Sequence, residues 1–386
     1  MDLGWSDADE RFRMELGEFL DAHAPPEALD GTERWAAGEL VPEWARRWQA
    51  TLFDHGWMIP SLPPHLGGRD ATPTQTAVLL EELARRNVPR SLHFPGYGIA
   101  APSLLQFGTP AQQALAPAAI RGDTVWCIGM SEPDAGSDLA SLRTRAAVRD
   151  DAFVVTGQKV WTSYAPIADM CLCYVRTDPD QPRHAGISAL LVDMGSPGIT
   201  VRPLRNIGGM SEFAEVHLDE VEVPRDALLG ELHGGWKVTQ SSLGHERSSM
   251  WMEAVARLER AVDDLVVLAR RVGRAGDPRT RQRLADAHGR VGCLPALGLR
   301  SMARPGPLPL LMKVATSELY TELMELAVDL GGAAGLAGRA GLAGGSAQER
   351  DWAIDHLRSL AGTMAGGTSE IQRDIIAQHA LRLPRG

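Results

Sequence analysis

At 386 residues, 44% hydrophobic and 23% charged, the chain is long enough for two or three domains whose cores need no disulfide or metal staple. A net charge of -10 argues against a general nucleic-acid binder, which needs a face rich in Lys and Arg, and no apolar run reaches the roughly 20 residues of a membrane-spanning helix. The four cysteines are too few for a disulfide framework, the 11 histidines show no spacing such as His-Glu-x-x-His, and the acidic start lacks the basic stretch and apolar core of an export signal, so no metal and a cytoplasmic location are expected.

From Ser6 to about Arg121 the hydrophobic period predicts helices. Ser6 caps a first helix carrying Phe12, Leu16, Phe19 and Leu20 on one face; Pro25 and Pro26 end it, and Pro42 opens a second helix with Trp44 and Trp48. A Pro- and Gly-rich loop over 60–69 leads to a helix at about 73–86, then a short apolar helix, then one opened by Thr109-Pro110 that ends near Gly122. From Trp126 to about Glu222 the period changes to short alternating runs, the pattern of an antiparallel barrel or sandwich, with strands at 125–130, 153–156, 170–175, 187–192, 199–203 and 214–223. Cys171 and Cys173 lie in one such run and are expected as buried thiols. Helices then return at about 235–272, 278–302 and 308–330, followed by two shorter ones. The stretch 331–345, mostly Gly, Ala and Leu, is open between a flexible inter-helix loop and a close backbone approach to a cofactor.

Near the end, Thr-Met-Ala-Gly-Gly-Thr-Ser-Glu-Ile-Gln-Arg over 363–373 reads as a glycine hinge running into a capped helix. Gly366 and Gly367 leave the backbone open to a ligand, and Ser369 with Gln372 has the form of a capping box, which directs helix-start N–H groups towards a cofactor or a carbonyl oxygen. By itself the stretch reads first as a glycine loop that only caps a C-terminal helix. Two further stretches lie in the β segment, Met-Ser-Glu-Pro-Asp-Ala-Gly-Ser-Asp over 130–138 and Gly-Gln-Lys-Val-Trp-Thr-Ser over 157–163. In this order and spacing the three closely resemble the signatures of the flavin-dependent acyl-CoA dehydrogenase family. The likeness covers essentially the whole chain and is strongest over 126–247 and 360–384.

The resemblance implies an α+β fold with an N-terminal helical domain over 1–124, a central antiparallel β-barrel or sandwich over 125–231 and a C-terminal four-helix bundle over 232–386. It implies FAD as cofactor, an acyl-CoA thioester as substrate, an electron-transfer flavoprotein as partner, and a homotetramer or dimer without membrane insertion. Ser131, with backbone groups of Ile128 and Met130, is expected at the polar edge of the flavin ring, with Trp161 packed on the ring and Thr162 and Ser163 beside it. Gly331, Gly332, Gly367, Thr368 and Glu370 are expected at the nucleotide portion, and Ser137 at the pantetheine or phosphate part of the thioester, although Ser137-Asp138 is also a candidate helix cap.

Dehydrogenation at Cα–Cβ needs a carboxylate to take the α-proton. Many relatives place it immediately before the Gly-Thr of the hinge, where this chain has Gly366. Glu246 on the long helix resembles the alternative arrangement of the long-chain and isovaleryl branches, with Gly244 and Arg247 near the substrate. The backbone N–H of Gly366 remains able to polarise the thioester carbonyl. Two family features are missing: an Arg-x-x-Phe-Gly grip on the neighbouring subunit's FAD is replaced by Val-Gly-Arg-Ala-Gly-Asp-Pro over 272–278, and the Gln before the Gly-Gly pair is Val328. Rival readings are a carrier-protein-bound substrate, an oxidase or monooxygenase on the same fold, and a non-catalytic subunit of a heteromeric dehydrogenase.

Overall fold

Ser6 accepts a hydrogen bond from the Asp9 amide while the Asp9 carboxylate takes the Ser6 amide, and this reciprocal cap starts α1 (Asp7–His23), which buries Phe12, Leu16, Phe19 and Leu20 as expected. Residues 5–26, 40–249, 251–303, 306–336 and 351–384 are described by the structure, a computed structural model; the side chains of 243–252, 302–303 and 334 lie outside that description. Pro42 is the N-cap of α2 (Glu43–Asp54), where Trp48 is buried and Trp44 half-buried. A Thr72–Gln75 capping box opens α3 (Pro73–Arg85). A π-helical turn at Pro95–Ala100 runs into α4 (Ala101–Phe107). The single helix expected from Thr109 to Gly122 is two short ones, α5 (Pro110–Gln113) and α6 (Ala116–Arg121), because Pro117 has no N–H to continue the first ladder.

The strands are β1 (Trp126–Gly129), β2 (Arg145–Val148), β3 (Ala152–Ser163), β4 (Met170–Arg176), β5 (Ile187–Asp193), β6 (Ile199–Leu204), β7 (Phe213–Pro224) and β8 (Leu228–Leu229). They form one sheet in the order β6-β7-β3-β2-β4-β5-β8, with β1 alongside β4. Most pairs are antiparallel, but β1 runs parallel to β4 and β2 meets β4 in parallel at Arg145 and Arg176, departures from the expected antiparallel sheet. The β2–β3 hairpin lies between β1 and β4 in sequence and supplies the crossover that a parallel pair requires. β3 extends seven residues beyond its expected end at Thr156. Register shifts between Val155 and Gly157 and between Lys159 and Thr162 break the alternation that marks a strand. β2 has one buried residue, Ala146, and β8 is two residues long, so neither carries a detectable apolar period.

The β core packs Phe153, Val155, Leu190, Val216, Val221 and Val223 around the free thiols of Cys127, Cys171 and Cys173. Hydrogen bonding with Cys127 and burial push the Cys171 thiol well up, and hydrogen bonding with Cys171 and burial do the same to Cys173, so both remain neutral packing groups.

The helical part that follows comprises α7 (Gly235–Ser249), α8 (Trp251–Arg271), α9 (Pro278–Ala303), α10 (Leu308–Leu336), α11 (Trp352–Gly362) and α12 (Ser369–Ile375). The regular geometry of α10 is interrupted at Gly332 (φ 56°, ψ -141°), close to its expected end at residue 330. Leu258, Leu265, Val291, Leu294, Leu323, Met324 and Trp352 are among the residues that form the bundle core.

The described residues fall into two compact units, one within 1–36, 72–89 and 247–386 and the other within 37–71 and 90–246. The N-terminal helices are therefore shared out. α1 and α3 belong with the bundle, where Arg260 donates to the Ala84 carbonyl (2.6 Å) and the buried Glu82 carboxylate meets Arg13, Arg85 and Arg86. α2, α4 to α6 and α7 as far as residue 246 belong with the sheet, joined by bonds such as Gln49 Nε2 to the Ile120 carbonyl (2.8 Å) and Gln112 Nε2 to the Asp226 carbonyl (2.7 Å).

Candidate functional site

In the β unit the two motif stretches meet through the backbone: the Val160 N–H donates to the Ser131 carbonyl at 2.9 Å. Ile128 in β1 and Met130 just beyond it are half-buried, while Cys127 and Gly129, before and between them, are buried, the alternation of a strand's two-residue period. On β3 the bulge between Lys159 and Thr162 gives Trp161 a left-handed backbone (φ 58°) and leaves its side chain 60% exposed, edge-on to Phe213 at 6.1 Å. An exposed tryptophan at positive φ is costly in two ways, in hydration and in backbone strain, which marks the position as one shaped for something other than packing. Ser163 is half-buried beside it. Thr162 is buried, and its hydroxyl has no partner among the described residues.

Beneath this surface lies a buried ion pair. Lys159 is 1% exposed, and its Nζ donates to Glu132 Oε1 (2.8 Å) and to the Met130 carbonyl (3.2 Å). The Glu132 carboxylate also accepts the amides of Arg143 (2.6 Å) and Thr144 (2.9 Å). Burial raises the Glu132 pKa, but the Lys159 charge and these hydrogen bonds outweigh it and hold the carboxyl below its ordinary range. One satisfied carboxylate thus closes the whole 130–144 loop onto β3. Ser137 is exposed on that loop, and the short 3-10 turn at Leu139–Ser141 starts from Asp138 without a side-chain cap, so the helix-cap alternative for Ser137-Asp138 is not realised. On the other side of β1, His93 is buried with Nε2 2.8 Å from the Trp126 carbonyl oxygen and its ring edge-on to Tyr164. Burial pushes His93 down to about 4, so it is neutral at pH 7.

The helix α7 carries Gly244, Glu246 and Arg247, whose side chains lie outside the described residues. What precedes them is fixed firmly. Ser242 Oγ is 2.9 Å from Tyr174 OH and 3.0 Å from Ser103 Oγ, and Ser103 Oγ donates to the Ile99 carbonyl (2.8 Å). All three side chains are completely buried, so this hydroxyl chain ties α7 to β4 and α4 one helical turn before position 246.

In the bundle unit, the hinge joins α11 to α12. Gly366 (φ 65°) and Gly367 (φ 91°) both take left-handed backbone, which favours glycine. The helix cap differs from the expected one: Thr368, not Ser369, is the N-cap, its hydroxyl accepting from the Ile371 amide at 3.2 Å. Gln372 instead reaches back, with Nε2 donating to the Gly366 carbonyl at 2.7 Å. The chain bends one residue earlier than the Ser-x-x-Gln pattern assumes, because two successive left-handed glycines bring Thr368 into the capping place. Lys313 Nζ donates to the carbonyls of Gly367 (2.7 Å) and Thr363 (3.2 Å). Glu370 is exposed at the start of α12, its carboxyl held below the usual range by its own amide and the Thr368 hydroxyl.

A Cβ added at Gly331 or Gly332 meets nothing within 4 Å. Nearby, Arg274 donates to the Asp329 carbonyl (3.1 Å) and Arg283 pairs with the Asp329 carboxylate (2.9 Å). The remainder of 331–345 beyond residue 336 lies outside the described residues. Among the described residues no group of three or more His, Cys, Asp or Glu could hold a metal ion, and no helix is long and apolar enough to cross a membrane.

Sequence reasoning missed Lys159, Lys313 and the Ser103–Ser242–Tyr174 chain as parts of this machinery. A lysine inside a strand, between Gly157 and Trp161, and a lone lysine in the apolar run 308–315 were the available signals. The three hydroxyls carried none.

The sequence matches the family profiles described as acyl-CoA dehydrogenase N-terminal domain (residues 6–123), middle domain (127–221) and C-terminal domain (233–381). It is 36% identical over 391 residues to acyl-CoA dehydrogenase IpdE1 of Mycolicibacterium smegmatis, covering 97% of this chain and 98% of that protein. It is also 36% identical to acyl-CoA dehydrogenase FadE34 of Mycobacterium tuberculosis, over 89% of this chain and 47% of that one. Similar solved structures include the Tcur3481-Tcur3483 steroid ACAD (29% identity, TM-score 0.85, 100% of both chains). The ChsE4-ChsE5 complex of Mycobacterium tuberculosis is another (28% identity, TM-score 0.83, 100% of both chains). With all three domains matched, the chain belongs to the acyl-CoA dehydrogenase family of FAD-dependent oxidoreductases.

Proposed function

We propose that this chain removes hydrogen from Cα and Cβ of an acyl-CoA thioester to give the trans-2-enoyl-CoA, and that an electron-transfer flavoprotein receives the electrons. The observation that carries the reading is the Val160–Ser131 hydrogen bond, which sets the backbone edge at 128–131 beside an aromatic face that is 60% exposed at Trp161. This pairing fits an isoalloxazine. The backbone of Ile128 and Met130 and the hydroxyl of Ser131 suit its polar edge, Trp161 its ring face, and Ser163 its reactive side, with Thr162 behind. Bound FAD supplies the hydride acceptor for the β-hydrogen.

In this reading Glu246 takes the α-proton, and the Gly366 N–H holds the thioester oxygen as negative charge develops there, a contribution on the order of a few kcal/mol. Ser137, Gly244 and Arg247 act on the substrate side. Gly331, Gly332, Gly367, Thr368 and Glu370 serve the nucleotide portion, where open space above both α10 glycines leaves room for close approach. Since Arg274 and Arg283 are engaged with Asp329, backbone N–H groups rather than those arginines hold the pyrophosphate.

For the acyl group we propose a bulky, ring-bearing thioester, supported by the similarity to a structure described as a steroid ACAD. The protein works as an oligomer. Homomeric assembly is the first reading, and the resemblance to paired chains such as ChsE4-ChsE5 favours a second, in which a related but different chain completes the assembly. The test is turnover with a panel of short, long, branched and ring-bearing acyl-CoA thioesters, with products weighed for the loss of two hydrogens and native mass read in parallel. Conversion of ring-bearing thioesters supports the proposal. Conversion only of carrier-bound thioesters, rapid reoxidation by air, or failure to retain FAD unless a second chain is present would each select a rival.

A further inference from the structure

We infer that Lys313 is a positioning residue for the hinge: together with Gln372 it turns the hinge carbonyls away and so aims the hinge N–H groups. The inference rests on the reading that the Gly366 N–H binds the thioester oxygen. A peptide's C=O and the following N–H lie in one plane and point in opposite directions. The Gly366 carbonyl is held by Gln372 Nε2 at 2.7 Å, and the Gly367 carbonyl by Lys313 Nζ at 2.7 Å. The N–H groups of Gly367 and Thr368 are therefore directed to the opposite side. Upstream, the Ala365 N–H is fixed on the Ala361 carbonyl (3.0 Å), so the Gly366 N–H is bracketed between two pinned peptide planes. Among the described residues none of the three N–H groups has an acceptor.

Two adjacent glycines are the most flexible pair a chain can have, and helix capping alone does not fix them. The Thr368 cap and the Ser369 N–H to Thr363 carbonyl bond (3.0 Å) secure the turn from outside the Gly-Gly pair. Among the described residues, Lys313 and Gln372 are the side chains that grip the pair itself. Lys313 also bonds the Thr363 carbonyl (3.2 Å), so one ammonium spans the start and the end of the turn from α10. Its charge, on the carbonyl side of the turn, also acts on Glu370, and Arg373 and Glu318 are other charged side chains of the neighbourhood.

The experiment compares FAD-loaded wild type with Lys313→Met, Lys313→Arg and Gln372→Glu. Amide hydrogen exchange over 363–371 is followed without substrate, and the thioester carbonyl stretch and flavin reduction rate are followed with it. The expected result is faster exchange in Lys313→Met and Gln372→Glu, loss of the carbonyl's downshift, and flavin reduction slowed on the order of tenfold to a hundredfold with little change in KM. Lys313→Arg restores most of each. Gln372→Glu keeps the test available should Lys313→Met not fold, since a carboxylate of the same shape cannot donate. Unchanged exchange and an unchanged carbonyl stretch in the variants would overturn the inference. If wild type itself shows no reduction by any thioester while the variants still exchange faster, the hinge grip stands and the functional reading fails.

Discussion

Replacing Lys159 by Met keeps the length and apolar stem of the side chain but removes the ammonium from Glu132 and from the Met130 carbonyl. The carboxylate stays buried, 8% exposed, with the amides of Arg143 and Thr144 and the Thr144 side chain as remaining partners. Breaking a buried pair by deleting one partner costs about 3–5 kcal/mol. The surviving hydrogen bonds point to the lower end, and the lost bond to Met130 adds about 1 kcal/mol, giving about 4 kcal/mol. Glu132→Gln/Lys159→Met removes both charges, and its loss is expected at about 1–2 kcal/mol, less than the single change. The assay is chemical unfolding followed by tryptophan fluorescence, together with FAD affinity, because the Met130 carbonyl belongs to the proposed flavin edge. The pair also sets a pH dependence. The folded Glu132 carboxyl is held below its ordinary value, so its contribution is present above that value and is lost as pH falls through the folded pKa. A Lys159→Met loss below about 1 kcal/mol, or a double variant as unstable as the sum of the singles, would refute the reasoning.

His93 gives a second acid effect in a separate window. Its folded pKa is pushed from 6.5 to about 4, so the unfolded chain takes up a proton first and stability falls as pH drops from about 6.5 to 4, by about 3 kcal/mol at most; His93→Asn is expected to flatten urea midpoints across that range. Tyr174→Phe cuts the hydroxyl chain at Ser242 and is expected to cost about 1–2 kcal/mol of stability while slowing flavin reduction more than it changes FAD content; equal effects on both would detach the chain from Glu246. Gly367→Ala forces a side chain onto φ 91° and brings Cβ within 2.6 Å of Gln372 Nε2, so a lower melting temperature and weaker FAD retention are expected in thermal scans.

The helical period was legible where one face is buried, as on α1, and β4 and β5 were legible as short apolar runs because nearly all their residues are buried. Elements were illegible where geometry breaks the period. β3 reads as four residues because its bulges invert the pattern and because Lys159 is polar yet buried. Two of the motif stretches meet in the fold through the Val160–Ser131 hydrogen bond, but the sequence does not reveal that Glu132 is an anchor, since a carboxylate in a turn looks like a surface charge until its amide partners are seen. At the hinge the glycine turn into a helix is present and the cap was misplaced by one position, a difference decided by two left-handed glycines. The division into a sheet unit and a bundle unit, with α1 and α3 joining the bundle, rests on long-range packing that no local pattern encodes.

The central claim is that Glu246 removes the α-proton of a thioester whose β-hydrogen goes to FAD. Anaerobic mixing of the FAD-loaded protein with ring-bearing and straight-chain acyl-CoA thioesters, watching the flavin's visible absorbance in wild type and in Glu246→Gln, tests it most directly. The account predicts bleaching in wild type that is lost in Glu246→Gln while the variant still binds the thioester. Bleaching that survives Glu246→Gln would contradict it.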